Sequence, residues 1–184
     1  MKAASAEKMT FDAFVEWLGS QPESPRYELV AGIPVAMAPE RAAHARMKAR
    51  VWAALRDAIA ERGLPCEAFA DGMAVPIDDT TAYEPDAVVQ CGERVPDDAT
   101  ALPSPSIVIE VLSPSTRGRD TGAKLDDYFR LPSVQHYLLI KTERRSIIQH
   151  SRRDTGDIVT RIWQEGRIEL DPPGIALEFD ALYA

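Results

Sequence analysis

Ile107-Val108-Ile109-Glu110-Val111-Leu112-Ser113-Pro114-Ser115-Thr116 is the stretch on which the reading turns. From Ile107 to Leu112 the residues are apolar at odd and even positions alike, the pattern of a central strand covered on both faces, and Ser113-Pro114 breaks it. One position inside that strand, Glu110, is a carboxylate. An ionised carboxylate buried without a partner costs several kcal/mol. Glu110 therefore needs a salt bridge to an Arg or Lys, a bound metal, or a place at the strand's open end.

Two further residues bear on that choice. Asp86 stands at the entry of a second short apolar strand, Ala87-Val88-Val89, behind Glu84-Pro85. By itself an Asp at a strand mouth reads as a turn residue or cap. If the two strands are neighbours, about 4.8 Å apart, Asp86 and Glu110 can converge on one divalent cation, and oxygen-only ligation suits magnesium or manganese. Lys124 lies on the first turn of the helix after the main strand, one residue before an apolar stripe that starts at Leu125, with Tyr128 one turn further on the same side. It reads either as a solvated lysine or as an ammonium that snorkels back toward the two carboxylates.

Working outward, Met1 to Lys8 is a loose terminus, and Thr10 caps a helix through Leu18 that Gly19 ends. Tyr27 to Val30 and Ile33 to Met37 form a hairpin across Ala31-Gly32. From Pro39 the pattern is helical, with Met47, Val51, Ala54, Leu55, Ala58 and Ile59 at spacings of three and four, until Gly63 and Pro65. Cys66 to Phe69, Met73 to Ile77 and Ala87 to Gln90 are strands; Asp78 to Thr81 is a turn and Gly92 to Pro105 a loop. Asp120 or Thr121 caps a helix to about Leu131. His136 to Lys141, Ser146 to His150, Ile158 to Trp163 and Arg167 to Leu170 then read as an antiparallel meander. This order predicts an α/β (α+β) architecture, a mixed sheet flanked by helices.

The 184 residues, 45% of them hydrophobic, suffice for one core, so a single domain over residues 1–184 is expected. A formal net charge of −8 argues against a broad cationic surface for nucleic acid, although Arg117, Arg119, Lys124 and Arg130 cluster after the main strand, with Arg144 and Arg145 close behind. Cys66 and Cys91 have no metal-ligand spacing and are expected to be two reduced thiols of a soluble cytoplasmic protein, with no membrane span. Ser113, Ser115 and Thr116 lack a nucleophile elbow or an evident base. His44 is open between a capping role and contact with phosphate or metal.

Pro85-Asp86, Glu110-Val111-Leu112-Ser113-Pro114-Ser115-Thr116, Asp120, Lys124 and Tyr128 together resemble the signature of the Uma-two-type restriction endonucleases, a branch of the PD-(D/E)XK nuclease superfamily. Tyr27-Glu28-Leu29-Val30 with Gly32, and His44, fit the same pattern, so the resemblance runs from about Tyr27 to His150. It implies a restriction-endonuclease-like fold. It also implies a catalytic set of Asp86, Glu110, Lys124 and Glu28, with Mg2+ (or Mn2+) on Asp86, Glu110 and Glu28; phosphate contacts from His44, Arg117 and Arg119 are expected from the residues themselves. Lys124 would replace the lysine that most of the superfamily carries two residues after the glutamate, a place held here by Leu112. The family's acidic pair around the first hairpin turn is missing, since Ala31 and Ile33 stand there.

The expectation is thus a magnesium-dependent DNA endonuclease acting as a homodimer. Its rival is a nuclease-fold binding or regulatory protein that keeps the site without useful hydrolysis. A third reading, hydrolysis of a small phosphoester, would need a closed pocket.

Overall fold

The computed structural model describes residues 8–22, 25–112 and 121–184. Its elements run α1 (Phe11–Leu18), β1 (Tyr27–Val30), β2 (Ile33–Ala36), α2 (Ala42–Arg62), β3 (Cys66–Ala70), β4 (Val75–Asp78), β5 (Thr81–Tyr83), β6 (Ala87–Cys91), β7 (Pro105–Leu112), α3 (Thr121–Arg130), β8 (His136–Lys141), β9 (Ser146–Arg152), β10 (Ile158–Trp163), β11 (Arg167–Leu170), β12 (Ile175–Glu178) and α4 (Phe179–Leu182).

The main strand lies where its two apolar faces require. β7 is interior to a six-stranded mixed sheet of order β10-β9-β8-β7-β6-β3, antiparallel to β6 and parallel to β8. Ile107, Ile109 and Val111 enter one core with Met47, Val51, Leu55 and Ile59 of α2, while Val108 enters a second with Tyr128, Tyr137 and Val75. Period two along β7 thus sends alternate residues to opposite layers. Glu110 shares parity with Val108 and so faces the layer that holds α3.

The expected α1 is capped as read, with Thr10 Oγ1 accepting the Ala13 amide at 3.3 Å. α2 starts at Ala42, later than Pro39, and ends at Gly63, whose φ of 60° is left-handed and whose amide and that of Leu64 reach back to Ala60 and Ile59 carbonyls. Asp120, the expected cap of α3, lies outside the described residues.

Two expectations need correction, the four-stranded meander and the reduced thiols, and two features were not foreseen. The hairpin β1–β2 does not join the main sheet: it pairs with β5, a strand not foreseen at Thr81–Tyr83, in a separate four-stranded sheet of order β2-β1-β5-β4. β11 does not extend the meander, because it pairs with β12 in a two-stranded sheet whose Ile168, Leu170, Ile175 and Leu177 close the core beneath α2. α4, also unforeseen, adds Phe179 and Leu182 to that core. Finally, Cys66 and Cys91 are directly opposite in the β3–β6 register and form a disulfide, not two thiols. Among the described residues no helix is long and apolar enough to cross a membrane.

Candidate active site

Antiparallel pairing matches Ala87 with Ile109 and Val88 with Val108, so one step further the register sets Asp86 beside Glu110. The condition on which the sequence argument rested, neighbouring strands, is met. Asp86 Oδ2 accepts the Val111 amide at 2.7 Å, which ties the carboxylate to the end of β7, and the residue is 6% exposed.

Lys124 does turn inward. It is 8% exposed, and its ammonium donates to Glu110 Oε1 and to Glu28 Oε1, each at 2.9 Å. Three elements from three parts of the chain therefore meet there: β1, β7 and α3. Tyr128, one helical turn after Lys124 and fully buried, donates its hydroxyl to the same Glu110 oxygen at 3.0 Å. The Tyr83 ring lies 4.9 Å from the Lys124 ammonium. Glu28 Oε1 also accepts the Glu84 amide at 3.1 Å. Burial raises the Glu110 carboxyl, Asp86 and Glu28 add repulsion, and Lys124 opposes both; the result is about 7. Burial would lower the Lys124 ammonium, but Glu110 and Glu28 outweigh it and hold it charged.

On the other side of Asp86 stands α2. His44 Nδ1 donates to Glu40 Oε1 at 2.8 Å and Nε2 to the Val111 carbonyl at 2.6 Å, with Asp86 Oδ2 3.3 Å away. Both ring nitrogens face acceptors, an arrangement that only the imidazolium satisfies. Burial works against that charge, yet the bonds to Asp86, Glu40 and the Val111 carbonyl raise its pKa to about 9. Lys48, which the sequence reading passed over, is 5% exposed, with its ammonium 2.5 Å from Glu40 Oε1, 2.5 Å from Asp71 Oδ2 and 3.7 Å from Asp86 Oδ1. The signal for it was spacing: Lys48 is four residues after His44 and so on the same side of the helix. Arg26 links Asp71 to Glu84 at 2.8 and 2.5 Å.

These residues fit a divalent cation in donor type and in charge. Asp86, Glu110, Glu28 and the Val111 carbonyl offer oxygen alone. Among the described residues of the network, Glu28, Glu40, Asp71, Glu84, Asp86 and Glu110 face Arg26, Lys48, Lys124 and one imidazolium. Carboxyl groups thus outnumber cationic groups by two. No three Asp, Glu, His or Cys side chains among the described residues already enclose a common point. Instead, Lys124 Nζ stands between Glu28 and Glu110, and His44 Nε2 between Asp86 and the Val111 carbonyl.

Of the other expected contacts, Arg117 and Arg119 lie outside the described residues. Arg145 pairs with Asp180 and covers the rings of Phe179 and Tyr183, so its charge is spent on α4.

A mixed sheet with an acidic cluster at the end of its central strand is the arrangement of a nuclease-like fold, and comparison with solved structures agrees. The chain superposes on a crystal structure from Anabaena variabilis, described as a putative nuclease belonging to DUF820, with a TM-score of 0.74, covering 95% of this chain and 97% of that one. Identity there is 18%, so that likeness concerns the fold. The chain belongs to the Uma2 family, whose description is "Putative restriction endonuclease" and whose model matches residues 11–181. It is also 32% identical over 123 residues to a Synechocystis protein named "Uncharacterized protein slr1290"; that match spans 66% of this chain and 65% of the relative's length.

Proposed function

We propose that this protein is a metal-dependent endonuclease that hydrolyses DNA phosphodiester bonds, with Mg2+ or Mn2+ held by Asp86 and Glu110 and with Glu28 as a further acidic ligand. The observation that carries this is the convergence of Glu28, Glu110 and Lys124 at 2.9 Å beside Asp86, in a cluster whose carboxylates outnumber its cations. When bound, the metal would lower the pKa of a coordinated water and neutralise charge on the scissile phosphate.

The chain's own residues have distinct tasks around that centre. Lys124, kept protonated, offers a positive charge to the phosphate oxygens as negative charge develops on them. Tyr128 fixes the orientation of Glu110 through its hydroxyl. The Val111 amide fixes Asp86 in the same way. A homodimer would present one such site to each strand of a duplex.

The test is calorimetric titration with MnCl2 beside cleavage of plasmid and branched DNA, for wild type, Asp86→Ala, Glu110→Ala and Lys124→Met. We expect binding and cleavage to vanish in both carboxylate variants, and Lys124→Met to bind metal while losing on the order of a hundredfold or more in turnover. Wild-type protein that binds no metal overturns the reading. Metal binding with no cleavage on any substrate would instead favour a regulatory, catalytically silent protein, the reading that the net charge of −8 supports.

A further inference from the structure

We infer that Lys48 is a positioning residue of this centre: it holds Asp86 from α2 and couples that carboxylate to the ion-pair network of Glu40, Asp71 and Arg26. Its consequence for turnover rests on the nuclease reading; its effect on Asp86 does not.

A lysine this deeply buried is rare unless paired. Lys48 sits beside Met47, whose side chain packs in the core beneath α2, so the helix's attachment to the sheet fixes where the Lys48 stem begins. Its ammonium then reaches three carboxylates from three different elements: Glu40 just before α2, Asp71 after β3, and Asp86 before β6. Asp86 has two oxygens with separate partners. Oδ2 takes the Val111 amide and lies near His44, and Oδ1 has the Lys48 ammonium at 3.7 Å. With cations or donors at both oxygens the carboxylate plane has one preferred orientation. Without Lys48, nothing from α2 restrains Oδ1.

The network behind Lys48 explains why its ammonium is well placed to do this. Asp71 is shared with Arg26, Arg26 with Glu84, and the Glu84 amide donates to Glu28, which accepts Lys124, which donates to Glu110. The chain of contacts passes around the site and returns to the carboxylate beside Asp86. Within the network Lys48 faces Asp86 Oδ1, at 3.7 Å, while His44 faces Oδ2, at 3.3 Å.

The Val111 amide reports on this directly, because its hydrogen is donated to Asp86 Oδ2 at 2.7 Å. The experiment is amide hydrogen exchange and 1H–15N correlation spectroscopy on the metal-free full chain, for wild type, Lys48→Met and Lys48→Arg. In Lys48→Met we expect Val111 exchange to accelerate about tenfold or more and its resonance to move, with Val108 on the same strand unchanged and Lys48→Arg close to wild type. A salt bridge serving only Glu40 and Asp71 would leave Val111 as it is. On DNA at saturating Mn2+, Lys48→Met should lower kcat about tenfold with KM altered by less than about threefold. Wild-type Val111 exchange in a folded Lys48→Met protein, or wild-type kcat, overturns the inference. Should Lys48→Met not fold, Lys48→Gln replaces it and is judged by the same two readouts. Wild-type protein that cleaves nothing fails the nuclease reading and leaves the Val111 amide to decide on Lys48.

Discussion

His44 combines three interactions that a neutral ring could not make together: Glu40 at one nitrogen, and the Val111 carbonyl with Asp86 at the other. Since its pKa is raised from 6.5 to about 9 on folding, the folded state binds the proton more tightly than the unfolded chain. The resulting stabilisation is complete below about pH 6.5, declines as pH rises, and is gone above about pH 9. Taken as a full shift it would be about 3 kcal/mol, and solvent screening of the partly exposed ring reduces it below that. We therefore expect urea unfolding in metal-free buffer to show His44→Gln less stable than wild type at pH 6, with the gap closing toward pH 9. A gap that does not change between those pH values would mean that His44 is neutral in the folded protein. Only part of this was legible beforehand. His44 stood out as a histidine at a helix start, but its partners Glu40 and Val111 lie on α2's approach and on β7, and no spacing rule links positions 44 and 111. Lys48 shares a helix side with His44, but its partners Asp71 and Asp86 are distant in sequence, so its burial could not be read from that spacing.

The same contrast holds for whole elements. Those marked by long periodic runs or by punctuation, such as β7, α2 and the β1–β2 hairpin, fall where the sequence put them to within a few residues. β5 and β12 were missed because they are three and four residues long and exist through their partners: Leu29 against Ala82 for one, the β11 register for the other. The hairpin itself holds a local conflict. Its two-residue loop, Ala31-Gly32, has positive φ at both positions, 50° and 83°, as a type I′ turn requires. Glycine accepts that conformation, and at Gly32 an added Cβ would come within 2.6 Å of the Lys8 Cβ, so glycine is needed there on two counts. Alanine at position 31 is strained. Ala31→Asn should raise stability by about 0.5–1 kcal/mol, since asparagine tolerates the left-handed region and Asn-Gly is the favoured pair for this turn. Thermal unfolding would show it, and an unchanged or lower midpoint would indicate that the asparagine side chain meets an obstacle at the turn.

At the scale of the whole molecule, the candidate-site carboxylates and the cysteine pair mark opposite ends of the β3–β6 ribbon. Ala70 is matched with Ala87, next to Asp86, whereas Cys66 is matched with Cys91 at the far end. The sequence pattern puts Cys66 on a strand and ends the strand that starts at Ala87 at Gln90, one residue before Cys91, and it does not pair the two strands, because strand order within a sheet is decided by packing partners and not by the strands' own composition. Their separation of 25 residues makes the disulfide a clamp on the segment that runs from β3 through β4 and β5 to the end of β6. Closing a loop of that length in the unfolded chain is worth roughly 3.5 kcal/mol in the chain-entropy account. Because the bond lies at the end of the ribbon away from Asp86, its loss should lower global stability while leaving the proposed metal site in place. The expected outcome is that dithiothreitol shifts the urea midpoint down, by an amount matching about 2–4 kcal/mol, and leaves Mn2+ affinity within about twofold of the oxidised value. Thiol titration of unreduced protein in denaturant should find neither cysteine reactive. Two reactive thiols, with a urea midpoint indifferent to reductant, would show the pair to be unbonded; a large loss of Mn2+ affinity on reduction would show instead that the ribbon transmits strain from one end to the other.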